Sequence, residues 1–320
     1  MPSGNGAARM YARRIGDAWE ALAPAKLNLY LDVLGRRADG FHELETLLAP
    51  IRLYDRLVWR PHRNDGSTDF AFSYDPASAA ALVDLAPANE RNLVWRAVDL
   101  LATTAGCAPR GSFVLTKRIP VQAGLGGGSS DAAAALVLAN SAWEIDYPLT
   151  KLSEIAAQLG SDVPFFLAGQ TAVCRGRGER VEPIPAMPRL NVVVVAPREG
   201  VSTADAFGQL NAPAWTGSES ASQPGESRRL ARLLESLRRG SVAAATQGMT
   251  NSLQVVAAQL CPAIERLGTA FAALGCCAHQ LTGSGSAYFG VMRTACQARR
   301  AAAILAASNF GTVFTTATCR

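Results

Sequence analysis

The chain has 320 residues, of which 31 are basic and 26 acidic, and 49% are hydrophobic. This composition excludes a disordered or collagen-like chain, and the length favours two domains, since a domain takes about 100 to 200 residues. The longest uninterrupted apolar stretch, residues 132–139, is far shorter than the roughly 20 residues that cross a bilayer, so a membrane-spanning protein is excluded. The formal net charge of +5 favours anionic partners, either phosphates on a small molecule or nucleic acid.

The cysteines and the first residues indicate the setting of the protein. Seven cysteines are scattered along the chain without a C-x-x-C pair, which argues against a disulfide framework and against a thiolate zinc site. A reducing, cytoplasmic setting fits them best. Residues 1–16 contain arginines but no acid and no apolar core of the length of a secretory signal, so we expect a flexible tail there.

Short strands alternate with alanine-rich helices along the rest of the chain. The predicted strands are Lys26–Leu34, Asp55–Arg60, Phe113–Lys117, Ala172–Arg175, Asn191–Ala196, Ala287–Met292 and Gly311–Ala317. The predicted helices are Asn92–Thr103, Ser130–Trp143, Lys151–Leu159, Asp162–Ala168, Ser241–Met249, Pro262–Leu274 and Thr294–Ala306. The strands come in hairpin-like and split arrangements, which favours an α+β fold over a doubly wound sheet. We place the two domains at residues 17–175 and 176–320.

A segment rich in Gly, Ser and Pro, Asn211–Ser227, predicts an exposed loop. In the helix predicted after it, Arg228–Arg239, leucines recur at helical spacing and five arginines are left for the other faces. Such a basic face suits nucleic acid, but a solvated face of an amphipathic helix is the commoner explanation, because no aromatic residues interleave to stack on bases. We therefore expect no nucleic-acid partner.

The segment Gly124–Asp131 reads Gly-Leu-Gly-Gly-Gly-Ser-Ser-Asp and lies between a predicted strand and a predicted helix. Glycines let the backbone turn tightly and approach a ligand closely, and a helix start presents unpaired N–H groups with partial positive charge. Strand, glycine loop and helix start together predict a cradle for a phosphate. The spacing matches neither the P-loop nor the dinucleotide fingerprint.

Polar and apolar residues alternate in the first long strand, so that Lys26, Asn28, Tyr30 and Asp32 share one face. A water-facing strand explains this pattern as well as a site does. One cation, one amide and one acid on a rigid ribbon are nevertheless typical of a site that orients an anionic substrate.

Two further segments have both a structural and a functional interpretation. Asp162 precedes Pro164 at a predicted helix start, where it is either a simple helix cap or a positioned proton acceptor for a substrate hydroxyl. The glycine cluster Leu281–Ala287 predicts a turn by itself. Paired with a phosphate cradle in the other half of the chain, it is also suited to close a nucleotide site.

These segments, in this order, resemble the three motifs of the GHMP kinases, the superfamily of galacto-, homoserine, mevalonate and phosphomevalonate kinases. The motifs correspond to Pro24–Val33, Pro120–Ala134 and Leu281–Phe289. Similarity at residues 35–42, 92–94, 117–120 and 160–166 narrows the resemblance to the branch that acts on a CDP-linked methylerythritol. The resemblance covers roughly residues 21–318, with stronger motifs in the first 200 residues.

The resemblance implies transfer of the γ-phosphoryl group of ATP, accompanied by Mg²⁺, to the 2-hydroxyl of the methylerythritol part, in the non-mevalonate route to isoprenoid precursors. It implies a two-domain fold with a ferredoxin-like C-terminal domain and an active site in the cleft between the domains. Lys26 and Asp162 match the catalytic pair, with Asp162 as the base toward the hydroxyl and Lys26 stabilising negative charge.

The resemblance also assigns binding residues. The phosphates of ATP would lie on Gly124, Leu125, Gly126, Gly127, Gly128, Ser129 and Ser130, with Asn92 and Lys117 on the adenosine side. Asn28, Phe41 and His42 match positions at the cytidine end, where a ring stacks on the base, and Thr203 would line the substrate from the C-terminal half. No metal ligand and no oligomeric state follow from the sequence. Two alternatives stay open: another GHMP kinase acting on homoserine or mevalonate, and a non-catalytic nucleotide-binding relative, which would be expected to lack Lys26 or Asp162.

Overall fold

The computed structural model describes residues 12–61, 70–76, 78, 86, 88–184, 187–215 and 227–319. Its strands are β1 (Arg13–Ile15), β2 (Ala18–Arg36), β3 (His42–Arg60), β4 (Phe70–Tyr74), β5 (Gly111–Thr116), β6 (Ala172–Gly176), β7 (Arg180–Pro183), β8 (Asn191–Pro197), β9 (Thr250–Asn251), β10 (Ala278–Leu281), β11 (Tyr288–Met292) and β12 (Gly311–Ala317). Its helices are α1 (Leu93–Ala105), α2 (Gly127–Ala142), α3 (Leu149–Leu159), α4 (Val163–Ala168), α5 (Thr203–Gly208), α6 (Arg228–Arg238), α7 (Val242–Thr246), α8 (Gln254–Leu260), α9 (Ala263–Ala273) and α10 (Ala295–Ala307).

The first sheet is built on a long antiparallel pair, β2 and β3, with 19 residues in each strand. β5 pairs with the end of β3 and β6 with its beginning, while β4, β7, β1 and β9 extend the sheet at its margins. Helices α1 to α4 cover one face and form a core with it. The run of small residues Ala132–Ala135 is completely buried there, so α2 packs closely on the sheet.

The second sheet is antiparallel and has the strand order β10-β11-β8-β12. Its central strand β8 is buried on both faces, because Val192 and Val194 pack toward the first sheet while Val193 and Val195 pack toward the outer helices. The core between the sheets also contains Leu27 of β2 and the four leucines of α6. The two halves of the molecule therefore share one apolar interface.

Most of the predicted helices and strands are present. Their bounds differ where pairing between distant strands sets the length of a strand. The strand Gly311–Ala317 has the predicted bounds, whereas the strands predicted at Lys26–Leu34 and Asp55–Arg60 are parts of the longer pair β2 and β3. That pair continues through three register shifts, which break the simple alternation on which the prediction depended. The predicted helix Ser241–Met249 is shorter and ends at Thr246. The unpredicted elements, β1, β4, β7, β9, β10, α5 and α8, are each seven residues or shorter.

The predicted division after residue 175 falls inside β6. The β6–β7 hairpin belongs to the first sheet, and the second sheet begins at Asn191. β9, from the C-terminal half, returns to pair with β2 of the first sheet. Most of the predicted tail and of the predicted loop lie outside the described residues, at residues 1–11 and 216–226. In the described part of the loop, residues 213–215 pair with the end of β2 through two backbone hydrogen bonds at Arg36.

The core between the sheets is expected to stabilise both halves. Leu27→Ala should lower the free energy of unfolding by about 2–5 kcal/mol, because Leu27 is fully buried in that core and its loss leaves a cavity. Leu22→Ala is the matched control, since Leu22 lies on the same strand with 45% of its surface exposed and should cost less than about 0.5 kcal/mol. Denaturant titrations followed by circular dichroism measure both; equal effects would contradict a core at this interface.

Candidate active site

A cleft of about 1180 Å³ takes residues from both halves of the chain. The first half contributes the polar face of β2, the start of α2 and the segment before α4, and the second half contributes α5 and the turn before β11. Pockets for one small ligand usually measure about 300–1,000 Å³. The cleft is therefore large enough for two ligands side by side.

Most of the predicted site residues line this cleft. They are Lys26, Asn28, Phe41, His42, Asn92, Lys117, Gly124, Gly126, Gly127, Gly128, Ser129, Asp162 and Thr203. Leu125 and Ser130 do not line it. The side chain of Leu125 packs in the core between the sheets, and the Ser130 N–H already donates to Gly126 O within the helix.

The predicted phosphate loop leads into α2 with a helix start that no side chain caps. Gly126 has a left-handed φ of 70°, and the first-turn amides of Gly127, Gly128 and Ser129 have no intrahelical acceptor. A Cβ on Gly126 would lie 2.8 Å from the Phe166 ring and 3.0 Å from the Lys26 side chain. Only glycine allows the backbone to pass between those two side chains. The helix start faces the cleft, and an uncapped helix start is suited to bind an anion.

A buried ion cluster lies beneath this helix start. The Lys117 ammonium donates to a carboxylate oxygen of Asp55 and, at 2.8 Å, to Asp131 Oδ2. Burial alone would lower the pKa of Lys117, but the two carboxylates outweigh it and hold that pKa above its usual value. A Cβ on Gly127 would lie 2.9 Å from Lys117 Nζ. Lys117, predicted for the adenosine side, thus has its charge directly under the phosphate loop.

Asp55 extends this cluster to the backbone. It is fully buried, and its Oδ1 accepts from the N–H groups of Arg118 and Ile119. Burial raises the pKa of Asp131 above its usual value. Asp55 was missed by sequence reasoning, because an acid inside a long apolar strand gives no signal until its partners, some 60 residues away, are known.

Lys26 and Asp162 meet in the middle of the cleft. Lys26 Nζ lies 3.7 Å from Asp162 Oδ2, and the side chain of Asp162 is 36% exposed against 5% for Lys26. Asp162 immediately precedes α4, but its carboxylate makes no capping hydrogen bond. The capping interpretation is therefore wrong for the side chain, which is left available to a ligand in the cleft.

Burial and pairing act in opposite directions on Lys26. Removal of the ammonium from water lowers its pKa below the usual 10.5, while the nearby Asp162 carboxylate raises it again. The net effect is a lowered pKa. Lys26 therefore loses its proton more readily than an exposed lysine, and Asp162 limits this effect.

Asn28 lies at the Lys26 end of the cleft. Its Oδ1 accepts from Lys26 Nζ at 2.7 Å, and its Nδ2 donates to Thr46 Oγ1 at 2.9 Å. With 2% of its surface exposed, Asn28 is bonded mainly within the protein. The resemblance assigns Asn28 to the cytidine end, and that assignment stays a prediction.

Several aromatic side chains lie together at one end of the cleft, which we call the aromatic end. Phe41 is 51% exposed, and the guanidinium carbon of Arg177 lies 4.8 Å from the centre of its ring. The His42 ring lies 5.1 Å from the ring of Phe207, in α5. Burial and the nearby Arg36 lower the pKa of His42, so the neutral imidazole is favoured. Sequence reasoning missed Arg177 and Phe207; the aromatic residue four positions after Thr203 was the available signal.

The remaining predicted residues close the cleft at its two sides. The Asn92 side chain accepts from Val94 N–H at 3.0 Å as the cap of α1, and its Nδ2 donates to Tyr74 OH. Thr203 Oγ1 lies 2.8 Å from Ser284 Oγ, in the second glycine cluster. That cluster lines the cleft through Gly283 and Ser284, and Gly283 lies next to Gly124 of the phosphate loop.

Two classes of site are not found among the residues that the structure describes. No group of three or more His, Cys, Asp or Glu side chains is placed to hold a metal ion. No helix in these parts of the chain is long and apolar enough to cross a membrane.

The sequence matches two families of known proteins. Residues 92–170 match the family described as the GHMP kinases N terminal domain, and residues 233–311 match the GHMP kinases C terminal family. A 4-diphosphocytidyl-2-C-methyl-D-erythritol kinase of Pelotomaculum thermopropionicum is 39% identical over 283 residues, which cover 88% of this chain and 92% of the relative. One of Granulibacter bethesdensis is 38% identical and covers 90% of each chain.

Solved structures agree as well. A 4-(cytidine 5'-diphospho)-2C-methyl-D-erythritol kinase is 36% identical, with a TM-score of 0.75 over 94% of this chain and 99% of that one. A homoserine kinase from Cytophaga hutchinsonii has a TM-score of 0.72 at 18% identity, covers 97% of this chain and 98% of its own, and shows the fold alone. The family matches and the fold are those of a GHMP-type small-molecule kinase. Within that class the chain belongs to the 4-diphosphocytidyl-2-C-methyl-D-erythritol kinase family, so the predicted family, α+β fold and kinase class are confirmed.

The opposed effects on Lys26 predict a measurable titration. The chain has only three lysines, at positions 26, 117 and 151, so ¹³Cε-lysine labelling gives three resolvable signals. We expect the Lys26 signal to titrate below pH 10.5, and Asp162→Asn to lower that pKa further, because the carboxylate favours the charged ammonium. Lys151, exposed on α3, is the internal control. A Lys26 pKa that rises in Asp162→Asn would contradict the pairing.

Proposed function

We propose that this protein transfers the γ-phosphoryl group of ATP to the 2-hydroxyl of 4-(cytidine 5'-diphospho)-2-C-methyl-D-erythritol. The observation that carries the proposal is the meeting of Lys26 and Asp162, 3.7 Å apart, between a helix start suited to phosphates and a group of aromatic side chains. The names of its relatives at 38% and 39% identity support the same substrate.

Asp162 is suited to accept the proton of the attacking hydroxyl. A carboxylate is too weak a base to remove that proton from the free alcohol, since ordinary aspartate has a pKa of about 3.9. It accepts the proton as the bond between oxygen and phosphorus forms. The Lys26 ammonium, nearly excluded from water, stabilises the negative charge that develops between the two reactants. Phosphoryl transfer requires mainly such positioning and charge stabilisation.

The phosphates of ATP would lie on the first-turn amides of α2. Gly127, Gly128 and Ser129 present N–H groups without intrahelical acceptors, and the helix adds partial positive charge there. The buried Lys117 ammonium lies beneath this helix start, where the Asp55 and Asp131 carboxylates offset its charge. Asn92, at the start of α1, lies on the side assigned to adenosine.

The residues next to the phosphate loop also fit a magnesium ion. Asp131 Oδ1 and Ser130 Oγ are buried and have no hydrogen-bond partner among the described residues. Mg²⁺ is usually held by one or two carboxylates together with substrate phosphates and water, so a cluster of three protein ligands is not needed. Asp131, which lines the cleft, would hold the ion. When bound, it would neutralise phosphate charge during transfer.

The aromatic end of the cleft would hold the cytidine diphosphate part. Phe207 and Phe41 offer ring faces for stacking on the base, and neutral His42 offers a hydrogen bond to its edge. Arg177 lies between this end and the pair of Lys26 and Asp162. Its guanidinium is close to the Phe41 ring, and a Cβ on the adjacent Gly178 would lie 3.7 Å from Asp162 Oδ1. No acidic partner of the Arg177 guanidinium is found among the described residues. Arg177 is thus suited to the diphosphate that links base and alcohol.

The choice of acceptor is tested by offering three alcohols with ATP. We expect the purified protein to phosphorylate the CDP-linked methylerythritol, and ³¹P NMR detects the product. Mevalonate and homoserine should stay unchanged, because neither carries a nucleobase that could bind at the aromatic end of the cleft. Asp162→Asn should abolish turnover while binding of the alcohol persists, and Lys26→Met should slow it by at least about 100-fold. Turnover of mevalonate alone, or near wild-type rates in both variants, would overturn the proposal.

Arg177 should affect substrate binding more than turnover. Arg177→Gln is expected to raise KM for the CDP-linked alcohol by about tenfold, because one charge-assisted contact to the diphosphate is lost, and to leave KM for ATP unchanged. Arg180→Gln is the matched control, since Arg180 lies on the same hairpin but pairs with Glu43 outside the cleft. Steady-state kinetics decide; an unchanged KM in Arg177→Gln would exclude this contact.

A further inference from the structure

A chain of buried hydrogen bonds connects Lys26 to the second half of the molecule. It runs from Thr46 in β3 to Asn28 and Lys26 in β2, and from Asn28 to Thr282, just after β10. Thr46, Asn28 and Thr282 have 3% or less of their surface exposed. Water therefore hardly competes for these bonds.

Thr46 determines which way the Asn28 amide points. Thr46 Oγ1 lies 2.6 Å from Tyr30 O, which can only accept, so the single hydroxyl proton of Thr46 is used there. Toward Asn28, at 2.9 Å, Thr46 must then act as the acceptor, which requires the Asn28 NH₂ group on that side. The amide oxygen Oδ1 consequently faces Lys26 Nζ, which has protons to donate.

Thr282 holds the same residue from the opposite side. Its Oγ1 accepts from the Asn28 N–H at 3.0 Å and lies 3.2 Å from Asn28 Oδ1, while Gly124 O in the phosphate loop is 3.4 Å away. One hydroxyl from the C-terminal half thus contacts both the lysine-bearing strand and the loop. Asn251 fixes the backbone around it, because its Nδ2 donates to Leu281 O and Gly283 O.

We propose that Thr282 is a positioning residue for phosphoryl transfer: its hydroxyl holds Asn28, and through Asn28 the Lys26 ammonium, in register with the phosphate loop. A charged donor stabilises a transition state only when it is held where the charge develops. Lys26 has a flexible side chain, and Asn28 Oδ1 is its shortest hydrogen-bond contact. Loss of the Thr282 hydroxyl would leave the Asn28 N–H buried without its acceptor and remove one of the contacts that hold the Asn28 amide oxygen.

The kinetic test rests on the function proposed above and separates positioning from simple packing. Thr282→Val keeps shape and removes the hydroxyl, and we expect kcat to fall about tenfold while KM for ATP and for the CDP-linked alcohol change less than about twofold. Thr282→Ser, which restores the hydroxyl, should recover most of kcat. Thr318→Val is the matched control, since Thr318 is equally buried in the second half and accepts from Leu190 N–H away from the cleft. It should leave kcat unchanged.

A second readout needs no substrate. In the ¹³Cε-lysine spectrum of the full chain, Thr282→Val should shift the Lys26 signal and leave that of Lys151 in place, while Thr318→Val should shift neither. Wild-type kcat with an unshifted Lys26 signal in Thr282→Val, or failure of Thr282→Ser to recover kcat, would overturn the inference. If the wild type does not phosphorylate the CDP-linked alcohol, the proposed function fails, and the lysine spectrum still decides the role of Thr282.

Discussion

The structure depends on one buried positive charge, the Lys26 ammonium, which is held almost out of water in the centre of the molecule. A charge in such a place is stable only where opposite charge or oriented dipoles replace the lost water. Asp162, in the segment before α4, supplies the negative charge. Asn28 Oδ1, on the same strand as Lys26, supplies the dipole. The convergence of both on one atom brings distant parts of the first half to the cleft.

The close packing around Lys26 also explains why the backbone of the phosphate loop has little conformational freedom. Gly126 passes between the Lys26 side chain and the Phe166 ring, where a Cβ has no room, and Lys26 N–H donates to Leu125 O at 3.0 Å. The loop is therefore held to the lysine-bearing strand by its own backbone. A second buried cation, Lys117, is neutralised by two carboxylates under the start of α2. The loop thus lies between two lysines whose charges are satisfied in different ways.

The C-terminal half completes the cleft and also contacts the residues of the first half that line it. β9 pairs with β2 next to the residues that carry the site, and Thr282 reaches Asn28 across 254 positions of the sequence. Phe207 and Thr203 reach the cleft from α5, the short helix that follows β8. Because the two sheets also share a continuous apolar core, the two halves are expected to act as one unit during ligand binding.

The sequence by itself determined the local features on which the proposed function depends: the polar face of β2, the glycine loop before an alanine-rich helix, and an acid before Pro164. These depend on periodicity, backbone freedom and helix starts, which are set by neighbours a few residues away. Family resemblance then assigned Lys26 and Asp162 to one site. Only the tertiary structure decided that Asn28 supports Lys26, that Lys117 pairs with Asp55 under the phosphate loop, and that Arg177 and Phe207 line the cleft. Each of these depends on a partner far away in the chain, and hydrogen bonds and charges act over a few ångströms of space, whatever the distance along the sequence.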